Sequence, residues 1–101
     1  MTAPGMTPEL HAKLAQLAAM RIVRFGEDGA ALTSALASSL RVAANWPEAD
    51  ARACAAQVAA EAATWGRGEL AEHFNHYLLV RGEEVVEVAP TYRGLGHCFL
   101  G

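Results

Sequence analysis

The sequence predicts a mainly α-helical protein, with three to four packed helices and a small C-terminal β-hairpin. Apolar residues recur at helical spacing in three alanine-rich stretches that precede residue 66. Residue types that begin and end helices flank these stretches. After Gly66-Arg67-Gly68 the composition changes, and both tyrosines and three of the four histidines follow. A chain of 101 residues is expected to form one domain with a modest core.

The first helix is predicted to begin at Thr7-Pro8-Glu9. Thr7 can cap the helix, Pro8 suits the first helical position, and Glu9 favours the positive end of the helix dipole. Gly26 is expected to end the helix in a left-handed conformation. The predicted inner face carries apolar residues at helical spacing, namely Leu10, Leu14, Leu17, Ala18, Ile22 and Phe25. His11 and Arg21 lie within this stripe and are expected to mark its ends. We expect Arg21 to extend its stem over apolar surface with its head in water, and a buried or interfacial ion pair is the alternative.

The second helix is predicted to begin after Asp28, which can cap it, and to close at Asn45. Its inner face would carry Leu32, Ala35, Leu36, Leu40 and Ala43. Pro47 prevents continuation and opens the third helix. The inner stripe of that helix is small, with Ala51, Cys54, Ala55, Val58, Ala62 and finally Trp65 as an anchor. Because small side chains allow close approach, we expect the third helix near the centre of the packing.

The last third of the chain predicts a shorter fourth helix from about Glu69, followed by a hairpin. Leu70, Phe74 and Tyr77 would face inward. The predicted strands are residues 77–81 and 84–88, joined by Gly82-Glu83 in a type II′ turn. The helix and the first strand compete for residues 76–79, so both assignments stay open there.

These elements divide a single domain, residues 1–101, into three parts. Residues 1–6 are expected to be disordered, residues 7–65 form an alanine-rich helical scaffold, and residues 66–101 carry the short helix, the hairpin and an apolar tail.

The net charge is −3, and neither half of the chain is basic, which argues against a nucleic-acid binder. No stretch approaches the length of a membrane span or the pattern of a signal peptide, so we expect a cytoplasmic protein. The abundance of alanine and arginine is typical of a bacterial or phage genome.

One cluster offers metal-ligand chemistry. Carboxylate and imidazole side chains at helical spacing could bind a metal ion or form an acid–base pair, namely Glu69, Glu72, His73 and His76. The simpler interpretation is a solvated helix face, because Leu70, Phe74 and Tyr77 occupy the opposite side. A metal site would need a further ligand, such as His97 or Cys98.

The sequence favours a non-enzymatic module that binds another protein or a second copy of itself, with no cofactor. The usual catalytic spacings are absent, whereas the hairpin edge and the apolar end of the tail have no evident role in solvent. The candidate partner-binding residues are Val80, Val85, Tyr92, Arg93 and Phe99. A regulator, an immunity or inhibitor protein, or a subunit of a complex would fit. A metal-dependent enzyme or metal sensor built on the Glu/His cluster is the alternative, and a small-ligand pocket beside the hairpin stays open.

Overall fold

A computed structural model describes residues 6–80 as four α-helices joined by short turns. The helices are α1 (Pro8–Phe25), α2 (Gly29–Ala43), α3 (Glu48–Ala62) and α4 (Arg67–Val80). The mainly helical fold class is therefore confirmed. Residues 1–5 and 81–101 lie outside the described residues. Met6, which was expected to be disordered, is partly buried, and its sulfur lies 3.7 Å from the thiol of Cys54.

Both ends of α1 follow the sequence signals. The hydroxyl oxygen of Thr7 accepts a hydrogen bond from the backbone N–H of Leu10 at 3.1 Å. At the other end, Gly26 has φ of 67°, and its N–H donates to the carbonyl oxygen of Ile22. A glycine adopts this left-handed conformation without the steric penalty of a Cβ atom, which is why the helix ends there.

The predicted start of α2 lacks its expected side-chain cap, whereas the predicted end at Asn45 is confirmed. Asp28 occupies the N-cap position with an extended backbone, but its carboxylate makes no capping hydrogen bond. At the end of the helix, Asn45 takes a left-handed conformation with φ of 61°, as its closing role requires. The N–H of Trp46 then donates to the carbonyl oxygen of Leu40 at 3.1 Å, and Pro47 precedes α3.

The central helix is α1, not α3 as predicted. α1 packs against each of the other three helices, whereas the main contacts of α3 are with α2 and α1. The small stripe of α3 is buried as expected, and it serves a close approach to α2. The buried residues of α1 supply the reason for its position. Ala15, Ala18 and Ala19 form one small face, whereas Leu17 and Met20 are buried on the other side, so neighbours pack around a wide arc of the helix.

The hydrophobic core joins all four helices. Its largest fully buried side chains are Leu10, Leu14, Leu32, Leu36, Leu40, Val58 and Cys54. Two residues of the predicted inner faces, Phe25 and Ala43, are instead exposed, and each is the last residue of its helix. Trp46 in the α2–α3 turn is buried in the core, a position that helical periodicity does not predict.

Residues 76–79, for which helix and first strand were both open, are helical, and so is Val80, which was expected on the strand. Tyr77–Val80 continue α4, which begins at Arg67 and is nearly as long as α2 and α3. No helix-breaking residue lies between Gly68 and Val80, so the helix propagates through the region where the two assignments competed. Residues 6–80 contain no strand. The predicted turn and second strand, with residue 81, lie outside the described residues.

Candidate partner-binding surface

The C-terminal ends of α1 and α4 carry exposed apolar side chains, a group that we call the apolar end: Val23, Phe25, Leu78, Leu79 and Val80. Leu79 is 79% exposed and Phe25 is 60% exposed. The other large exposed apolar residue among residues 6–80 is Val42 on α2. Single exposed apolar residues are ordinary, but five at the ends of two neighbouring helices make this end the candidate for a contact surface.

The guanidinium group of Arg24 fixes how the two helices meet at this end. Its central carbon lies 5.7 Å from the ring centroid of Phe74 and 5.6 Å from that of Tyr77. The two rings are nearly parallel, with centroids 6.3 Å apart. A cation over aromatic faces is attracted by the electron density of the rings. These contacts place the last turns of α1 and α4 side by side.

A second arginine on α1 forms an ion pair beside the apolar end. Arg21 donates from Nε and Nη2 to the two carboxylate oxygens of Glu27, at 2.8 and 2.7 Å. Its guanidinium carbon also lies 4.7 Å from the ring centroid of Phe25. The hydrogen bonds from Arg21 hold the pKa of the Glu27 carboxyl below its ordinary value. Arg21 was expected either to keep its charged head in water or to form a buried or interfacial ion pair. It forms an ion pair, but a partly exposed one within the chain.

The predicted Glu/His cluster is divided among other roles. One carboxylate oxygen of Glu69 accepts a hydrogen bond from the N–H of Gly66 at 3.1 Å, which stabilises the start of α4. The imidazole ring of His73 stacks on Trp65, while Glu72 and His76 are exposed. Within residues 6–80, no group of three or more His, Cys, Asp or Glu side chains is arranged to bind a metal ion.

Of the predicted partner-binding residues, Val80 belongs to the apolar end and is 47% exposed. Val85, Tyr92, Arg93 and Phe99 lie outside the described residues, so they stay predictions. Leu78 was expected to face a partner with Val80 and Val85, whereas Phe25 and Leu79 were not expected at the surface. The signal was present in the run Tyr77-Leu78-Leu79-Val80, because four consecutive apolar residues in a helix cannot all face one core.

The described thiol offers no reactive site. Cys54 is a free cysteine buried within α3, and burial raises the pKa of its thiol to about 12. A thiolate is the reactive form of cysteine, so this side chain is chemically inert in the folded protein. Cys54 acts as a small core residue, as expected from the sequence.

No known protein family, curated protein or solved structure matches the chain. None of the helices in residues 6–80 is both long enough and apolar enough to cross a membrane.

Proposed function

We propose that this protein is a small, non-enzymatic, cytoplasmic module that binds another protein or a second copy of itself through its C-terminal third. The observation that carries this proposal is the exposed apolar end, where Leu78, Leu79 and Val80 meet solvent at the point from which residues 81–101 continue. Aromatic and aliphatic side chains on a protein surface favour contact with another protein, since their burial releases water.

The residues that follow add to this surface. Tyr92 and Phe99 are ring-bearing residues of the kind that contribute much of the binding energy at interfaces. Arg93, next to Tyr92 in the chain, is another residue type enriched at such positions. Val85 and Val80 would supply aliphatic area beside them. A regulator, an inhibitor or immunity protein, or a complex subunit could use such a surface.

No specific observation favours the alternative of a metal-dependent enzyme or metal sensor. Glu69 is engaged at the start of α4, and His73 is stacked on Trp65. The two remaining members, Glu72 and His76, would have to recruit ligands from elsewhere. We therefore propose that the protein acts without a cofactor.

The experiment that tests the proposed function measures association of the full chain. Sedimentation equilibrium over a range of concentrations gives self-association, and co-purification at native expression levels gives association with a foreign protein. Tyr92→Ala and Phe99→Ala should each weaken association by roughly tenfold, whereas Thr91→Ala should leave it unchanged. Association that is equally strong in all four proteins, or a wild-type chain that associates with nothing, would reject the proposed function.

A further inference from the structure

The last turn of α4 is apolar around most of its circumference. Residues in an α-helix follow one another at about 100°, so the four residues from Tyr77 to Val80 span roughly 300°. Tyr77 faces the core and is buried, whereas Leu78, Leu79 and Val80 are exposed on the remaining sides. A helix that is apolar all round is normally buried. This turn therefore requires a cover that reaches several of its sides.

The need to cover several sides of the turn distinguishes between a second copy of the protein and the protein's own C-terminal segment as the cover. A flat surface on a second copy of the protein would cover only one side of a helical turn. A chain segment that leaves the end of the same helix can pass around it. The sequence continues for 21 residues after Val80, and this segment is rich in apolar side chains, namely Val85, Val86, Val88, Tyr92, Leu95, Phe99 and Leu100.

Proximity also favours the protein's own segment. Residue 81 is bonded to Val80, so the segment begins at the surface that needs the cover. A short connection of this kind holds the segment near that surface at an effective concentration on the order of millimolar. A second copy reaches the same surface only in proportion to its concentration in solution.

The positive charge of Arg24 also favours the protein's own C-terminal segment as the cover. Among residues 6–80, Arg24 has no carboxylate within ion-pair distance, although Arg21 beside it is paired with Glu27. The Arg24 guanidinium lies over the rings of Phe74 and Tyr77, at the apolar end. The segment that follows Val80 contains Glu83, Glu84 and Glu87. A carboxylate from this acidic run would complete the charge balance at Arg24.

We propose that residues 81–101 dock in cis on the apolar end, covering Phe25, Leu78, Leu79 and Val80 and bringing a glutamate to Arg24. The partner-binding surface then consists of this segment held on a helical platform rather than of bare helices. The docking deepens the proposed function, because the apolar end then anchors the segment that contacts a partner. A chain without any partner would still bury the same apolar side chains.

The test uses two full-length variants that form a matched pair. Leu79→Cys and Val42→Cys replace residues that are each 79% exposed, and each is the penultimate residue of its helix. The two introduced thiols therefore have the same exposure and the same position relative to a helix end. Cys54 is buried and stays unreactive, and peptide mass spectrometry separates labelling of Cys98 from labelling of the introduced thiols.

The measurement is the rate of labelling by a small maleimide, in folded protein and in urea, over a range of protein concentrations. We expect the thiol at position 79 to react at least roughly tenfold more slowly than the thiol at position 42, and dilution should not change this ratio. In urea the two rates should become equal. Phe25→Cys provides a second reporter on α1 and should also be protected.

Two results would overturn the proposal. Equal rates at positions 79 and 42 in folded protein would mean that the apolar end is open. Protection at position 79 that disappears on dilution would mean that a second copy supplies the cover. Equal rates would leave the association measured with Tyr92→Ala and Phe99→Ala undecided, and protection that disappears on dilution would support self-association while rejecting docking in cis. Failure of the docking proposal is therefore distinguishable from failure of the proposed function.

Discussion

The imidazole ring of His73 stacks on the indole ring of Trp65, with centroids 4.3 Å apart and planes inclined by 30°. This contact joins the first half of α4 to the turn that follows α3, so it positions the helix that carries the apolar end. It also gives His73 a structural role in place of the metal-binding role that its spacing suggests.

The stacking contact predicts how substitutions of His73 behave. His73→Ala should lower the free energy of unfolding by about 0.5–1.5 kcal/mol, because it removes an aromatic pair. His73→Phe should retain most of the stability, since a phenyl ring can stack on Trp65. Urea denaturation of the two variants measures this difference.

Metal analysis of the same proteins, purified without a metal-affinity tag, provides the control. We expect no stoichiometric zinc, iron or manganese in the wild type. Roughly one tightly bound metal ion per chain, lost in both variants, would support the Glu/His site instead.

The ion pair between Arg21 and Glu27 predicts a dependence of stability on pH. The folded-state pKa of Glu27 is lowered, so its stabilising contribution is present above the unfolded pKa, about 4.3, and is lost as pH falls through the folded value. Glu27→Gln should therefore cost about 1 kcal/mol near neutral pH. The difference from wild type should shrink in acid below about pH 4.

Urea denaturation of both proteins from neutral to acidic pH measures this effect. Glu48→Gln is the control, because the pair of Glu48 with Arg52 is exposed and has an N–O distance of 3.4 Å. A difference between Glu27→Gln and wild type that stays constant over the whole pH range would contradict the assigned role of the ion pair.

The small stripe of α3 predicts a sharp contrast between neighbouring alanines. Ala55 is fully buried, whereas Ala56 is exposed. Ala55→Leu should overpack the core and cost about 1–3 kcal/mol, while Ala56→Leu should change stability by less than about 0.5 kcal/mol. Thermal melting of the two variants compares them directly, and equal melting temperatures would show that the packing face of α3 is wrongly assigned.

Much of the helical fold could be predicted because local signals determine it. Thr7 and Gly26 bound α1, and Asn45 with Pro47 separates α2 from α3, by conformations intrinsic to those residue types. The central position of α1 and the burial of Trp46 could not be predicted, since both depend on contacts between elements distant in sequence. Local pattern also left residues 76–79 undecided between helix and strand, and the uninterrupted run from Gly68 resolves them as helix.

The candidate surface was predictable only in part. Val80 was expected at a partner contact, but on a strand edge rather than on the last turn of a helix. Phe25 was missed because its helical spacing predicts a core position. Leu79 was missed because it falls in the range left open between the fourth helix and the first strand. The Glu/His residues do lie on a helix, as their spacing predicts. However, Glu69 contacts Gly66 and His73 contacts Trp65, and both of these partners precede the cluster in the sequence.

The central claim is that the apolar end anchors the partner-binding surface. The most direct test compares the association constants of Leu79→Glu and Val42→Glu. The two residues are equally exposed, but only Leu79 belongs to the apolar end. Leu79→Glu should weaken association by at least roughly tenfold, equivalent to about 1.4 kcal/mol, whereas Val42→Glu should stay close to wild type. Equal association constants for the two variants, measured by sedimentation equilibrium or against the co-purified partner, would contradict the account.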